Sequence, residues 1–225
     1  MSFKEETNYP FSEVIKFTLT ADKRKPVSFP FHLRIPAWCK QGIIKINGKD
    51  FKEASGNRIV VINREWKSGD VVELTLPMHV FKNTWFENSV SIERGPITYG
   101  LKIGEELKKV KNENDIENYG THYYEVRPTT PWNYGLFEMS SDKMEEHYKP
   151  EHNKMSAFPW SLDNAPIIKT KAKRIPSWQH YNETAGPLPF HFINNLAPGD
   201  EGEIVLVPYG CTKLRVSQFP LIGRK

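Results

Sequence analysis

Trp132, Tyr134, Trp160, Trp178 and Tyr181 stand out among the large aromatic side chains in the second half of the 225-residue chain. A flat, electron-rich ring can hold a sugar by its C–H face. It can equally seal a core or a seam between domains, because each ring buries a large apolar area. Trp132 and Tyr134 stand in the stretch YEVRPTTPWNYGLFEM, close behind Pro128 and Pro131. Trp132, Tyr134, Trp160 and Trp178 are therefore candidates for carbohydrate contact or for a domain interface. Residue type alone leaves both roles open, with core sealing the commoner one.

Other chemistry is less well supplied. A hydrolase needs a proton donor near a nucleophile or base, and no spacing in this sequence pairs two carboxylates. Glu145 and Glu146 lie beside His147 and near His152. They make neither HExxH nor HxH, and neighbouring side chains on a helix point apart, so a solvated helix face is expected. Glu93 and Arg94 read as a salt bridge closing a hairpin. GxSxG, a phosphate-binding loop and GxGxxG are all missing. Lys40 beside Cys39 would lower a thiol pKa, yet a lone cysteine after a strand more often packs. Cys39 and Cys211 form no CxxC and no Cys/His metal spacing, and two separate buried thiols are expected. The residues thus nominate no catalytic and no metal-binding side chain.

The bulk composition narrows the partners. Net charge is +4, with 38% hydrophobic and 26% charged residues, and mean hydropathy is −0.57. The basic runs, Lys23-Arg24-Lys25 and Lys108-Lys109, are short and lack interleaved aromatics. Nucleic-acid binding needs a concentrated basic face, so none is expected. No apolar run approaches the length of a membrane span. MSFKEETNYPF lacks the apolar core of a signal peptide and reads as a start in mid-protein, so the sequence itself assigns no compartment.

The elements that must position these residues are strands. Aromatics at 12% and 17 prolines favour short strands and turns over long helices. Ile15, Phe17 and Leu19 alternate with polar residues, as do Phe29, Phe31, Leu33 and Ile35, the period of a strand with one wet face. Pro30 places the second of these at a sheet edge or puts its beginning in a bulge. Asn47-Gly48 signals a type I′ hairpin. Strands are expected over Arg58 to Asn63 and Val71 to Leu76, with a hairpin in SVSIERGPITYGL. A charged connection over 104 to 122 marks a boundary, with a helical turn at Glu105 to Val110. Beyond it come strands at Tyr123 to Val126, Pro166 to Lys173 and Gly202 to Val207, the last paired in a hairpin with Thr212 to Val216. A long irregular stretch over 137 to 165 includes a short helix in SSDKMEEHYK, behind a serine N-cap. The expected fold is all-β: two antiparallel β-sandwich, jelly-roll-like domains in tandem, 1–104 and 105–225.

An ordered series of motifs carries a resemblance. TNYPF, FHLRIPAWC, INGK, REWKSGDVVELTLPM and SIERGPITYGL are followed by YEVRPTTPWNYGL, AGPLPF and IVLVPYGCTKLRVSQFP. Together, and most specifically in LRIPAW, ERGP and PYGCTKLR, they resemble the C-terminal portion of glycoside hydrolase family 127 proteins of the β-L-arabinofuranosidase type. The resemblance implies an (α/α)6 catalytic barrel followed by two β-sandwiches. It implies that zinc, held by a glutamate and three cysteines, belongs to the barrel, and that this chain carries no cofactor of its own. No catalytic residue carries over, because Cys39 and Cys211 fall in sandwich motifs. The implied partner is the catalytic barrel of the same parent, with glycan as a further partner. The implied parent is bacterial and periplasmic or secreted, acting in plant or complex glycan breakdown.

Three readings follow. The chain is a non-catalytic support for a barrel, with Trp132 and Tyr134 plugging the second core or its seam. Alternatively it is a carbohydrate-binding module whose aromatics stack on a glycan. The third is an independent enzyme with an unrecognised carboxylate pair.

Overall fold

The computed structural model describes residues 1–21, 25–114, 116–152, 157–189 and 200–223. Lys23 and Arg24 of the first basic run, and the last residue of AGPLPF, lie outside the described residues. The chain divides into two compact units, Met1–His79 and Val80–Lys225.

The described residues of the first unit form seven strands: β1 (Ser2–Thr7), β2 (Val14–Thr20), β3 (Val27–Ile35), β4 (Gln41–Ile46), β5 (Lys49–Ser55), β6 (Arg58–Trp66) and β7 (Val71–Thr75). Five of them form one antiparallel sheet in the order β1-β2-β7-β4-β5, and β3 pairs with β6 in a second. Alternation dictates which side chains meet. Leu33 and Ile35 of β3, and Val60, Ile62 and Trp66 of β6, share a single core with Leu19, Ile44, Ile46, Val72 and Leu74 of the larger sheet. Two sheets closing on one apolar layer make a sandwich. Trp66 anchors it: its ring stacks on Phe29 at 5.7 Å and its indole N–H donates to Phe29 O at 3.0 Å. Pro30 stands on β3, which among the described residues has β6 as its one ladder partner, the edge position its missing N–H requires. Asn47 and Gly48 both take positive φ, 52° and 76°, as the β4–β5 hairpin demands.

The second unit contains β8 (Val80–Thr84), β9 (Ser89–Arg94), β10 (Ile97–Leu101), β11 (Glu105–Lys111), β12 (His122–Pro128), β13 (Tyr134–Phe137), β14 (Lys149–Glu151), β15 (Ile167–Arg174), β16 (His180–Tyr181), β17 (Thr184–Ala185), β18 (Glu201–Pro208) and β19 (Phe219–Ile222). The fold is all-β, as expected, but this unit is more than two facing sheets. One ladder runs β10-β18-β15-β13-β19-β9, and β9 pairs again with β10. It therefore closes on itself through six strands as a small barrel. β8 and β14 flank it, on β9 and β15. Val90, Ile92, Leu136, Ile168, Leu206 and Phe219 are buried in this unit.

Several expectations differ from the structure in instructive ways. The boundary expected at 104/105 compares with a division at His79/Val80. The reason is pairing: β9 and β10 hydrogen-bond with β19 and β18, which lie more than a hundred residues later. Glu105–Lys111 is a strand rather than a helical turn, paired along its length with β12. Thr212–Val216 forms no strand and no hairpin with β18. Glu105 Oε1 instead accepts from the backbone N–H groups of Lys213 and Leu214, at 2.7 and 2.8 Å. Those donors are thereby withdrawn from a ladder, and the strand forms later, at β19. The short helix expected in SSDKMEEHYK is present at Met144–His147, behind a 3-10 turn at Ser141–Lys143, but Ser140 makes no side-chain cap bond.

Candidate functional site

Trp132 stands where three segments of the second unit converge. It follows Pro128, the last residue of β12, and precedes β13. Its indole meets Trp178 edge-on at 5.1 Å and stacks on the His180 imidazole at 4.9 Å, with 7° between the planes. Asn133 locks this corner. Its side-chain amide donates to Ile175 O at 2.9 Å and to Trp178 O at 3.0 Å, and its own oxygen accepts from Arg174 Nε at 3.3 Å. Trp178, only 4% exposed, donates its indole N–H to Gly186 O at 2.8 Å. The loop between them is thus pinned at its neck, and the β16–β17 hairpin stands out from it. At the tip, Asn182 and Glu183 both adopt positive φ, 48° and 60°.

These elements bound a cavity of about 720 Å³. Ile103, Val126, Leu214 and Val216 contribute its apolar surface, and Trp132 and His180 an aromatic wall. Arg127, Lys213, Arg215 and Glu183 supply charge. Each cation is already engaged: Arg127 with Glu125 at 2.7 Å, Lys213 with Glu105 at 3.5 Å, and Arg215 over the Tyr209 ring at 4.8 Å. Such a cavity can hold a ring on its aromatic wall and hydrogen-bond to its periphery.

The four aromatics singled out by sequence do not gather in one place. Trp132 and Trp178 touch, the first lining the cavity and the second buried beneath it. Tyr134 is half-buried in β13, opposite Arg174 of β15. Trp160 is 48% exposed and packs on the backbone of Gly210, so tightly that a Cβ there would sit 3.1 Å from Trp160 Cε3. Sequence reasoning singled out neither His180 nor Arg127. The parity of β16 and β12 was the available signal, but both strands are short or wet on both faces.

Neither cysteine is an activated thiolate. Burial pushes the Cys39 thiol above its ordinary pKa, with Glu13 adding to the effect and a backbone N–H from Gln41 opposing it. Burial does the same to Cys211. Among the described residues, no group of three or more His, Cys, Asp or Glu can hold a metal ion. A zinc held by one glutamate and three cysteines does not fit a chain with two cysteines. Among the described residues no helix is long and apolar enough to cross a membrane.

Residues 1–78 match the family model of the β-L-arabinofuranosidase GH127 middle domain. The likeness to the GH127 middle domain lies in this stretch. The matched stretch coincides with the first compact unit, so the GH127-like sandwich is a unit of sequence and of structure at once. No curated protein matches the chain. Solved structures extend the likeness over both units. One described as a glycoside hydrolase is 23% identical with a TM-score of 0.62, the match covering 98% of this chain and 32% of that one. A GH127 β-L-arabinofuranosidase from Geobacillus stearothermophilus T6 is 21% identical with a TM-score of 0.58, over 99% of this chain and 30% of its own. A further GH127 β-arabinofuranosidase is 18% identical with a TM-score of 0.59, over 99% and 33%. At these identities the structural likeness is one of fold. The chain spans about a third of the length of each of these structures.

Proposed function

We propose that this GH127-like chain is the non-catalytic β portion of a β-L-arabinofuranosidase-like glycoside hydrolase, and that it packs on and supports a catalytic barrel domain. The observation that carries this reading is the asymmetry of coverage: nearly all of this chain corresponds to about a third of each glycoside hydrolase it resembles. Surface chemistry supports it. In the first unit, Ile59 and Val61 of β6 and Phe51 of β5 are exposed. In the second, β11 and β12 form a separate two-stranded ribbon that shows Leu107, Tyr123 and Tyr124 to solvent. A lone ribbon is marginal in water, and clustered exposed apolar groups mark docking surfaces.

The experiment is complementation. The catalytic portion of the Geobacillus stearothermophilus β-L-arabinofuranosidase is produced without its own β portion, and this chain is added in trans. Gain of stability or activity on addition, with no turnover of an aryl arabinofuranoside by the folded chain alone, is the expected result. Turnover by the isolated chain overturns the reading in favour of an independent enzyme.

A further inference from the structure

A second site lies on the outer face of β8, β9 and β10. The register places Asn83 opposite Ser91, and Glu93 opposite Thr98. Alternate residues share a face, so Asn83, Ser91 and Glu93 stand together on the side away from the buried Val90 and Ile92. Trp85 follows β8 directly and is tied down twice. Its backbone N–H donates to Ser89 O at 2.8 Å, and its indole N–H donates to Ser91 Oγ at 2.8 Å. The Ser91 hydroxyl donates onward to Glu93 Oε1 at 3.0 Å, where the Asn83 amide also donates at 2.9 Å. This fixed indole is nevertheless 51% exposed. Across a cavity of about 250 Å³, shared with Thr98, Ser217 and Gln218, stands Tyr209, 42% exposed. The Arg215 guanidinium lies over its ring at 4.8 Å.

A rigid, exposed indole beside a carboxylate, an amide and hydroxyls is complementary to one class of ligand. Sugars present C–H groups on one face and hydroxyls around the rim. The C–H groups suit an aromatic plane, and the hydroxyls need acceptors and donors at its edge. An ionised carboxylate offers about four acceptor positions, and the bonds from Ser91 and Asn83 both fall on Oε1. Glu93 therefore keeps capacity for a pair of adjacent hydroxyls. Among the described residues the cavity lining includes this carboxylate and no lysine or arginine, which disfavours an acidic sugar. We propose that Trp85, Glu93 and Tyr209 form a binding site for neutral saccharides with vicinal hydroxyls. The site is independent of the support role: either can fail while the other stands.

The test is calorimetric titration of the full chain with three probes, arabinohexaose, xylohexaose and hexagalacturonate. Wild type is expected to bind at least one neutral hexasaccharide saturably and to prefer it over the galacturonate. Trp85→Ala should weaken that binding by at least about tenfold and Trp85→Phe by less than about threefold, since the ring carries the contact. Glu93→Gln should weaken it by roughly fivefold or more, because a charge-assisted acceptor is lost. Folding of each variant is checked by circular dichroism. Absence of saturable binding by folded wild type overturns the proposal, as does an unchanged affinity in folded Trp85→Ala or preferential binding of the galacturonate. An exposed Trp85 that serves as a protein-docking contact would give the first of these results.

Discussion

The imidazole of His180 lies flat against the indole of Trp132, with ring centroids 4.9 Å apart and planes within 7°. His180 is exposed on the β16–β17 hairpin, whereas Trp132 is half-buried and braced from behind by Trp178. The two partners should therefore differ in what their loss costs. Trp132→Ala is expected to destabilise by about 2–3 kcal/mol, at or below the low end for a buried large aromatic because the site is half open. His180→Ala should cost about 1 kcal/mol or less, and a double-mutant cycle should return a coupling of about 0.5–1.5 kcal/mol. Urea unfolding followed by tryptophan fluorescence reads all three values.

Asn133 is the keystone of the same corner. Its amide satisfies two backbone carbonyls, those of Ile175 and Trp178. Asn133→Ala leaves both without a donor in a buried site, at about 2–4 kcal/mol in total. Asn133→Asp should be no better, because it removes the donors and sets a carboxylate against carbonyl oxygens. Comparable stability of either variant with wild type would contradict this role. Midpoints of chemical denaturation decide the matter.

Glu183 occupies the left-handed region at φ 60° in a turn whose geometry favours glycine. Glu183→Gly should relieve that strain and stabilise the chain by about 0.5–1 kcal/mol. The gain shows as a raised melting temperature with an unchanged spectrum. A destabilised Glu183→Gly would mean that the carboxylate itself holds the hairpin.

In the first unit, Asp70 predicts an acid limb. Burial raises its pKa, but the backbone N–H of Lys67, the Asn47 amide and the charges of Arg64 and Lys67 outweigh burial and hold it below the ordinary value. A depressed folded-state pKa contributes stability above the unfolded pKa, about 3.9 for aspartate. That stability is lost as pH falls through the lower, folded-state value. Denaturation midpoints measured between pH 6 and pH 2 should therefore fall below about pH 4, and Asp70→Asn should flatten the fall. The same variant costs stability at neutral pH, since its amide nitrogen cannot accept both bonds.

Much of the fold could be read from the strands with one wet face. Leu33, Ile35, Val60 and Ile62 alternate cleanly with polar or outward residues, and Asn47-Gly48 marked its hairpin. β11 escaped because EELKKVK is wet on both faces and has good helix formers, so no apolar period distinguishes ribbon from helix. The barrel escaped because closure depends on Phe219–Ile222 finding Ser89 and Val90, a pairing without a local signature. The candidate cavity was half visible. Trp132 is conspicuous by type, but His180 and Arg127 reach it from separate segments, and only tertiary structure brings them there. Trp85 and Tyr209 were unremarked because their value lies in what fixes them, the Ser91 hydroxyl and the Arg215 guanidinium.

The four residues of β19 join β13 on one side and β9 on the other. Without them, part of each of those strands keeps its N–H and C=O groups unpaired, an invitation to pairing between molecules. Ser89 and Pro220 face each other across that junction, so the ring cannot shut during synthesis until β19, more than a hundred residues after β9, has left the ribosome. Newly made second units should pass through a stage with sticky margins, in which a chaperone's shelter matters more than the stability of the finished barrel.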